Sequence, residues 1–235
     1  MNWVLDDLPE KNDTLAAIAK ILGAYGEGDD DMATVFVTEA GKRVQIKYRK
    51  NFRARVIQAD EETKAYYSDI KAYLLSFDGI AASDSQNYEG FAVGRKQIAK
   101  INISGKTVLL FLALDPQTLE GSKYKYDNVG DRKRFEKTPV KIKVRSARSF
   151  KWAKELIDQT MAANERPFVA EVKADFTDIE KTKEELIAHE LIQIAATDPD
   201  SGEKITNEAL LAILQGGVRL DDSAPAAETA AEDAE

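Results

Sequence analysis

The sequence predicts an α+β fold: a mainly antiparallel sheet built on a central hairpin, packed by helices, with flanking helices and a disordered acidic C-terminal tail. Three observations carry this reading. Residues 94–114, GRKQIAKINISGKTVLLFLAL, read as two adjacent strands with a tight turn at Ser104-Gly105, and the second strand is the most apolar run in the chain. Residues 140–145 alternate, with Val140, Ile142 and Val144 on one side and Lys141, Lys143 and Arg145 on the other, which is the period of a half-buried strand. Within residues 60–77, Tyr66, Ile70, Tyr73, Leu74 and Phe77 recur at spacings of three and four, the stripe of an amphipathic helix.

The remaining elements follow in order. Asp13 is placed to cap a first helix, whose apolar face holds Leu15, Ile18, Ala19 and Leu22. Gly23 and Gly26 break it, and residues 26–31, GEGDDD, form an acidic, flexible connector. Residues 33–38 and 43–48 read as two strands joined by a glycine turn. Residues 51–58 fit a helix or a strand equally well. The helix at 60–77 stops at Gly79. Residues 83–87 read as a polar loop and 88–93 as a strand.

In the first strand of the central hairpin, Ala99, Ile101 and Ile103 face one way, and Lys96, Ile98, Lys100 and Asn102 the other. The second strand is apolar on both parities, so it belongs in mid-sheet with cover on both faces. Asp115-Pro116 ends it, because proline cannot continue a ladder. Residues 117–137 form a long polar connection, and Ser146 or Ser149 then caps a helix carrying Phe150, Ala153, Ile157 and Met161 on its face. Residues 166–172 read as extended, and a further helix starts at Thr177 or Asp178 and runs to about His189. Residues 198–202 make a turn, and Thr206 caps a last short helix. From Asp221 the chain lacks large apolar residues and cannot bury enough surface to order itself.

Charge divides the chain more sharply than its net value of −8 suggests. Residues 1–41 hold 2 Lys/Arg against 9 Asp/Glu, residues 42–154 hold 25 against 12, and residues 155–235 hold 6 against 20. A basic middle between acidic ends implies an anionic partner, or ends that fold back on the middle. The corresponding division is an acidic N-terminal helix and linker at 1–31, a central basic α+β domain at 32–163, an acidic helical extension at 164–220 and a tail at 221–235.

Several function classes lose support. With no cysteine there is no disulfide and no thiolate nucleophile or metal ligand, and the single histidine, His189, offers neither a zinc cluster nor a triad. No metal site and no cofactor is expected. Ser104-Gly105-Lys106-Thr107 looks like the end of a phosphate-binding loop, but Lys100 stands where the motif needs glycine and Thr107 enters a strand instead of a helix, so it reads as a hairpin turn. The acidic run Asp29-Asp30-Asp31 lacks the spaced oxygens of a hard-cation loop. No run approaches the roughly 18 apolar residues of a membrane span, and the first residues do not resemble a secretory signal, so a cytoplasmic protein without membrane partners is expected.

The candidate binding residues are basic. Lys47, Arg49, Lys50, Arg53 and Arg55 are interleaved with Tyr48 and Phe52, and the strand stripe Lys141, Lys143 and Arg145 continues to Arg148. Arg95, Lys96 and Lys100 are placed on the same side. Positive grooves with aromatic platforms suit the backbones and bases of nucleic acids. The connection, with Lys123, Tyr124, Lys125, Tyr126, Asp127 and Asp131, either lines a pocket or simply packs on the domain.

From Tyr48 to about Met161 the chain resembles a group of uncharacterised bacterial domains of unknown function, some found with restriction-endonuclease-like or putative transport domains. The resemblance rests on YRKNFRARVIQADEETKAYYSDIKAYLLSF, on GRKQIAKINISGKTVLLFLALDP and on SKYKYDNVGDRKRFEKTPVKIKVRSARSFKWAKELID. It implies a small α+β domain with an auxiliary or binding role and an association with nucleic-acid systems, and it brings no catalytic residue. Two functions stand side by side: a non-enzymatic module for nucleic acid or another polyanion, modulated by the acidic tail, and a protein-interaction or scaffold domain that binds an acidic protein partner or its own copy.

Overall fold

In the computed structural model the residues described are 9–25, 33–176 and 181–221. The chain is α+β with two antiparallel sheets, and it divides into two compact units. One is contiguous, from Arg55 onward to the described residues before 181; the other joins the residues up to Ala54 with those from Lys181.

The contiguous unit holds the expected central hairpin. Its sheet comprises β3 (Ala81–Asp84), β4 (Glu89–Val93), β5 (Lys96–Ser104), β6 (Thr107–Leu112), β7 (Asp127–Asn128) and β8 (Val140–Val144), in the order β3-β4-β5-β6-β8-β7. Ser104 pairs with Thr107 across the turn, and Gly105 supplies its positive φ of 52°. Rows such as Ile101–Leu110–Ile142 run across three strands on one face. That face is wholly buried under α3 (Glu61–Leu75) and α4 (Ala147–Ala163). The other face of β6 is covered differently. Phe135, from the polar connection, stacks flat on Phe111 with ring centroids 4.5 Å apart.

Two details depart from the sequence pattern here. A strand, β3, runs into the loop expected at 83–87 and takes its first two residues, Ser83 and Asp84. The buried face of α3 is also rotated from the aromatic stripe: Thr63, Lys64, Tyr67, Ser68, Ile70, Lys71 and Leu74 are buried, while Tyr66 and Tyr73 are half-exposed. Polar residues tolerate this burial because they are paired. Lys71 meets Glu89, Tyr67 donates to Glu89, and Ser68 accepts from the backbone N–H of Phe176. Residues 166–176 run alongside α3, as Phe77 bridges Phe168 and Ser76 receives Val169 and Val172.

The two-segment unit has the sheet order β10-β9-β2-β1-β11, built from β1 (Thr34–Thr38), β2 (Arg43–Lys50), β9 (Ile192–Thr197), β10 (Lys204–Ile205) and β11 (Val218–Leu220). Its helices are α1 (Asp13–Gly23), α5 (Lys183–Ala188) and α6 (Asn207–Gln215). The predicted β1–β2 hairpin therefore belongs not to the central sheet but to a second one. Its free edges are taken by strands more than a hundred residues away, Lys47 pairing with Ala195 and Phe36 with Leu220. Residues 32–163 thus fall in both units, and the segment after 180 contributes strands as well as helices.

Local corrections are small. Asn12, not Asp13, caps α1, its side chain accepting from the Leu15 N–H. Thr177 and Asp178, where a helix start is expected, lie outside the described residues, and helix α5 begins at Lys183, capped by Thr182 in a reciprocal box with Glu185. The ambiguous 51–58 stretch contains helix α2 (Phe52–Ile57), capped by Asn51, and the unit boundary at Ala54/Arg55 falls within it. The acidic connector Asp29-Asp30-Asp31 and the tail 222–235 lie outside the described residues.

Candidate functional site

Strand β8 sends Lys141 and Lys143 to the side away from buried Val140, Ile142 and Val144, as the alternation predicts. The chain then turns at once into α4. Ser146 accepts from the Ser149 N–H, and Ser149 in turn accepts from the Arg145 and Ser146 N–H groups. Arg145 and Arg148 flank this cap. The polar connection reaches the same place from the other direction, because β7 pairs Asp127 with Lys141. The result is a cleft of about 520 Å³ within the contiguous unit. Lys125, Lys141, Lys143, Arg145 and Arg148 contribute its cations, and Tyr124, Tyr126 and Trp152 its aromatic surface. The first turn of α4 carries no acidic side chain, so its positive dipole end adds to the field.

The aromatic side chains are held from behind. Tyr124 donates its hydroxyl to Glu155 at 3.0 Å and accepts from Gln159 at 3.2 Å. Lys123 clamps Glu155 at 2.7 Å, and the hydrogen bonds of Lys123 and Tyr124 hold that carboxyl below the usual glutamate range. Tyr124 meets Trp152 edge to face at 6.4 Å. Tyr126 donates its hydroxyl to the Pro116 carbonyl at 3.0 Å.

One carboxylate, Asp127, lines the cleft, 3.3 Å from the Lys141 ammonium and 3.4 Å from that of Lys143. Partial burial pushes its pKa up, and the two lysines more than offset this, holding it below the usual aspartate value. Lys125, Arg145 and Arg148 have no carboxylate within ion-pair distance among the described residues.

The other basic residues singled out by the sequence lie elsewhere. Lys47 and Arg49 are exposed on β2, and Lys50 and Arg53 are half-buried, all four in the two-segment unit. Their interleaved aromatics are not open platforms. The Tyr48 ring lies under the Lys183 ammonium at 4.0 Å, and Phe52 is fully buried. Arg55, in the contiguous unit, donates to Asn102 at 3.0 Å. Arg95 and Lys96 are exposed at the β4–β5 turn, where Gly94 has φ 56°.

Lys100 does not share an open basic surface with them. It is 6% exposed, donates to the Arg134 carbonyl at 2.6 Å and lies over the Tyr88 ring at 4.7 Å. Burial, then the nearby charges of Lys137 and Arg134, lowers its pKa. The connection that covers Phe111 also covers this lysine.

His189 ends α5, and its Nδ1 lies 2.8 Å from the Pro9 carbonyl. No group of three or more histidine or acidic side chains among the described residues could hold a metal ion. No helix among them is long and apolar enough to cross a membrane. No family model, no curated protein and no solved structure matches the chain.

Of the cleft residues, Lys141, Lys143, Arg145 and Arg148 come from the predicted basic stripe, and Tyr124, Lys125, Tyr126 and Asp127 from the connection weighed as a pocket lining. Trp152 is the addition. Its signal was its spacing, four residues after Arg148 and three after Ser149, which repeats along one side of a helix.

Proposed function

We propose that the protein is a polyanion-binding module, with nucleic acid among its ligands, and that the anion seats in the cleft beside β8 and the start of α4. The observation that carries this reading is the charge of the cleft. Five cationic side chains converge on about 520 Å³, facing a single carboxylate that engages only two of them. Such a site gains affinity by releasing the counterions of its ligand, so binding weakens log-linearly with salt. Binding is favoured over catalysis because Asp127, held ionised by two lysines, is a poor proton acceptor at neutral pH.

The test is a titration of labelled nucleic acid and of inorganic polyphosphate across a salt series. Arg145→Ala with Arg148→Ala is expected to weaken binding of both and to make the log–log salt slope shallower by about two. Lys47→Ala with Arg49→Ala is expected to change little. If the first pair left the slope unchanged, the cleft would not be the site. Capture of an acidic protein that persists as salt rises, with no nucleic acid bound, would assign the surface to a packed protein interface instead.

A further inference from the structure

Resting on that reading, we infer that the ligand class of the cleft is single-stranded nucleic acid, held by stacking a base on the aromatic surface of Trp152 and Tyr126 while the surrounding cations hold the phosphates. The first argument is the state of the tyrosines. The Tyr126 hydroxyl is engaged by the Pro116 carbonyl, and that of Tyr124 by Glu155 and Gln159. Hydrogen bonds already made behind the cleft leave ring surface as what these side chains present within it. A polyanion without bases, such as polyphosphate, makes no use of ring surface. A strand of nucleotides does, at about 1–3 kcal/mol per stacked base.

The second argument is size. A cleft of about 520 Å³ is in the range of pockets that enclose one small molecule, roughly 300–1,000 Å³. It admits one unstacked base with its sugar and phosphate. A duplex keeps its bases stacked inside and would first have to flip one out, at a cost of about a few kcal/mol.

The third argument is rigidity. Trp152 is the sixth residue of a 17-residue helix and meets Tyr124 edge to face, and the Tyr124 hydroxyl is itself fixed by Glu155 and Gln159. A platform held this way loses little freedom when a base lands on it. The one carboxylate in the cleft is occupied by Lys141 and Lys143, so it is not free to accept from the exocyclic amine of a base.

The experiment uses the full chain carrying Trp3→Phe, which leaves Trp152 as its only indole. Its fluorescence is followed while short oligothymidylate, oligouridylate, a duplex of equal length and inorganic polyphosphate are added at one salt concentration. Both single strands are expected to quench Trp152 and to bind at least about tenfold more tightly than the duplex or polyphosphate. The two single-stranded arms separate a DNA preference from an RNA preference. Trp152→Leu, with binding read by the anisotropy of a labelled single strand and by its displacement with unlabelled polyphosphate, is expected to lose about tenfold or more for single strands and to leave polyphosphate binding unchanged. Tyr126→Leu serves the same purpose if the tryptophan variant fails to fold. Equal affinity for strand, duplex and polyphosphate without quenching would overturn the stacking inference and leave the polyanion reading standing. No binding of any of them at low salt would overturn both.

Discussion

Lys71 and Glu89 form an ion pair 2.6 Å long in the interior of the contiguous unit, where they are 4% and 1% exposed. Tyr67 donates to the same carboxylate at 2.8 Å, and the Lys71 ammonium also lies 4.4 Å from the centre of the Phe176 ring. Burial pushes the Glu89 pKa up, and Lys71 and Tyr67 only partly counter it. Lys71→Met would strand the carboxylate in the core and is expected to cost about 3–5 kcal/mol at neutral pH.

The sign of the pH dependence follows from that raised pKa. A raised folded-state pKa means that the contribution of Glu89 is most favourable below the ordinary glutamate value and is lost as pH rises through the folded value. Urea unfolding across this range should show Lys71→Met losing less stability in mild acid than at neutral pH, because the stranded Glu89 takes up a proton. Glu89→Gln should remove the difference. A deficit independent of pH in Lys71→Met would show that a stranded Glu89 carboxylate is not its cause.

Asp127 makes the cleft sensitive to pH in a predictable direction. Its depressed pKa means that the pairs with Lys141 and Lys143 are intact above the ordinary aspartate value and are lost as pH falls through the folded one. Acid therefore frees two cations. Polyphosphate affinity is expected to rise a few-fold as the carboxyl protonates, in keeping with the modest worth of roughly 0–1 kcal/mol of a half-exposed ion pair. Asp127→Asn should bind a few-fold more tightly at neutral pH and show a flatter profile in acid, both read by fluorescence anisotropy.

Leu110 tests the central hairpin. It is fully buried on the helix-covered face, paired across the sheet with Ile101 on one side and Ile142 on the other. Leu110→Ala is expected to cost about 2–5 kcal/mol in denaturant unfolding. Leu109, the half-buried neighbour on the opposite face, should cost less than half as much when changed to alanine.

Residues 222–235 carry five acidic side chains. A polyanionic segment of the same chain competes with any external polyanion for a basic cleft. A chain ending at Asp221 is therefore expected to bind single-stranded nucleic acid several-fold more tightly at low salt, with the difference fading at high salt as screening sets in. Equal affinity of the two chains at low salt would remove the tail from the account.

What could be read from the sequence was whatever its own near neighbours determine. The β5–β6 hairpin pairs residues a few positions apart around Gly105, and the alternation of 140–145 states the two faces of β8 outright. For the same reason four of the cleft cations were visible. The second sheet was not, because the partners of β2 and β1 are residues 192–197 and 218–220, and no local period records a pairing at that distance. The rotation of α3 was hidden for a different reason. Lys64, Ser68 and Lys71 look like a wet face until Glu61, Glu89 and the Phe176 backbone are brought to them. Lys100 misled in the same way, since the residues that cover it come from a connection with no apolar pattern of its own.

The discontinuity of the second unit also has a consequence for how the chain is made. The contiguous unit has all its strands once synthesis passes α4 and its covering segment once it passes Phe176, so a nascent chain can complete that fold while later residues are still being added. Strand β2 must wait, since its partner β9 is translated about 150 residues later, a delay on the order of ten seconds at roughly 5–20 residues per second. During that interval the Lys47, Arg49 and Lys50 backbone is an open edge, and its lysine and arginine side chains are the kind that discourage other chains from pairing with it before its own partner arrives.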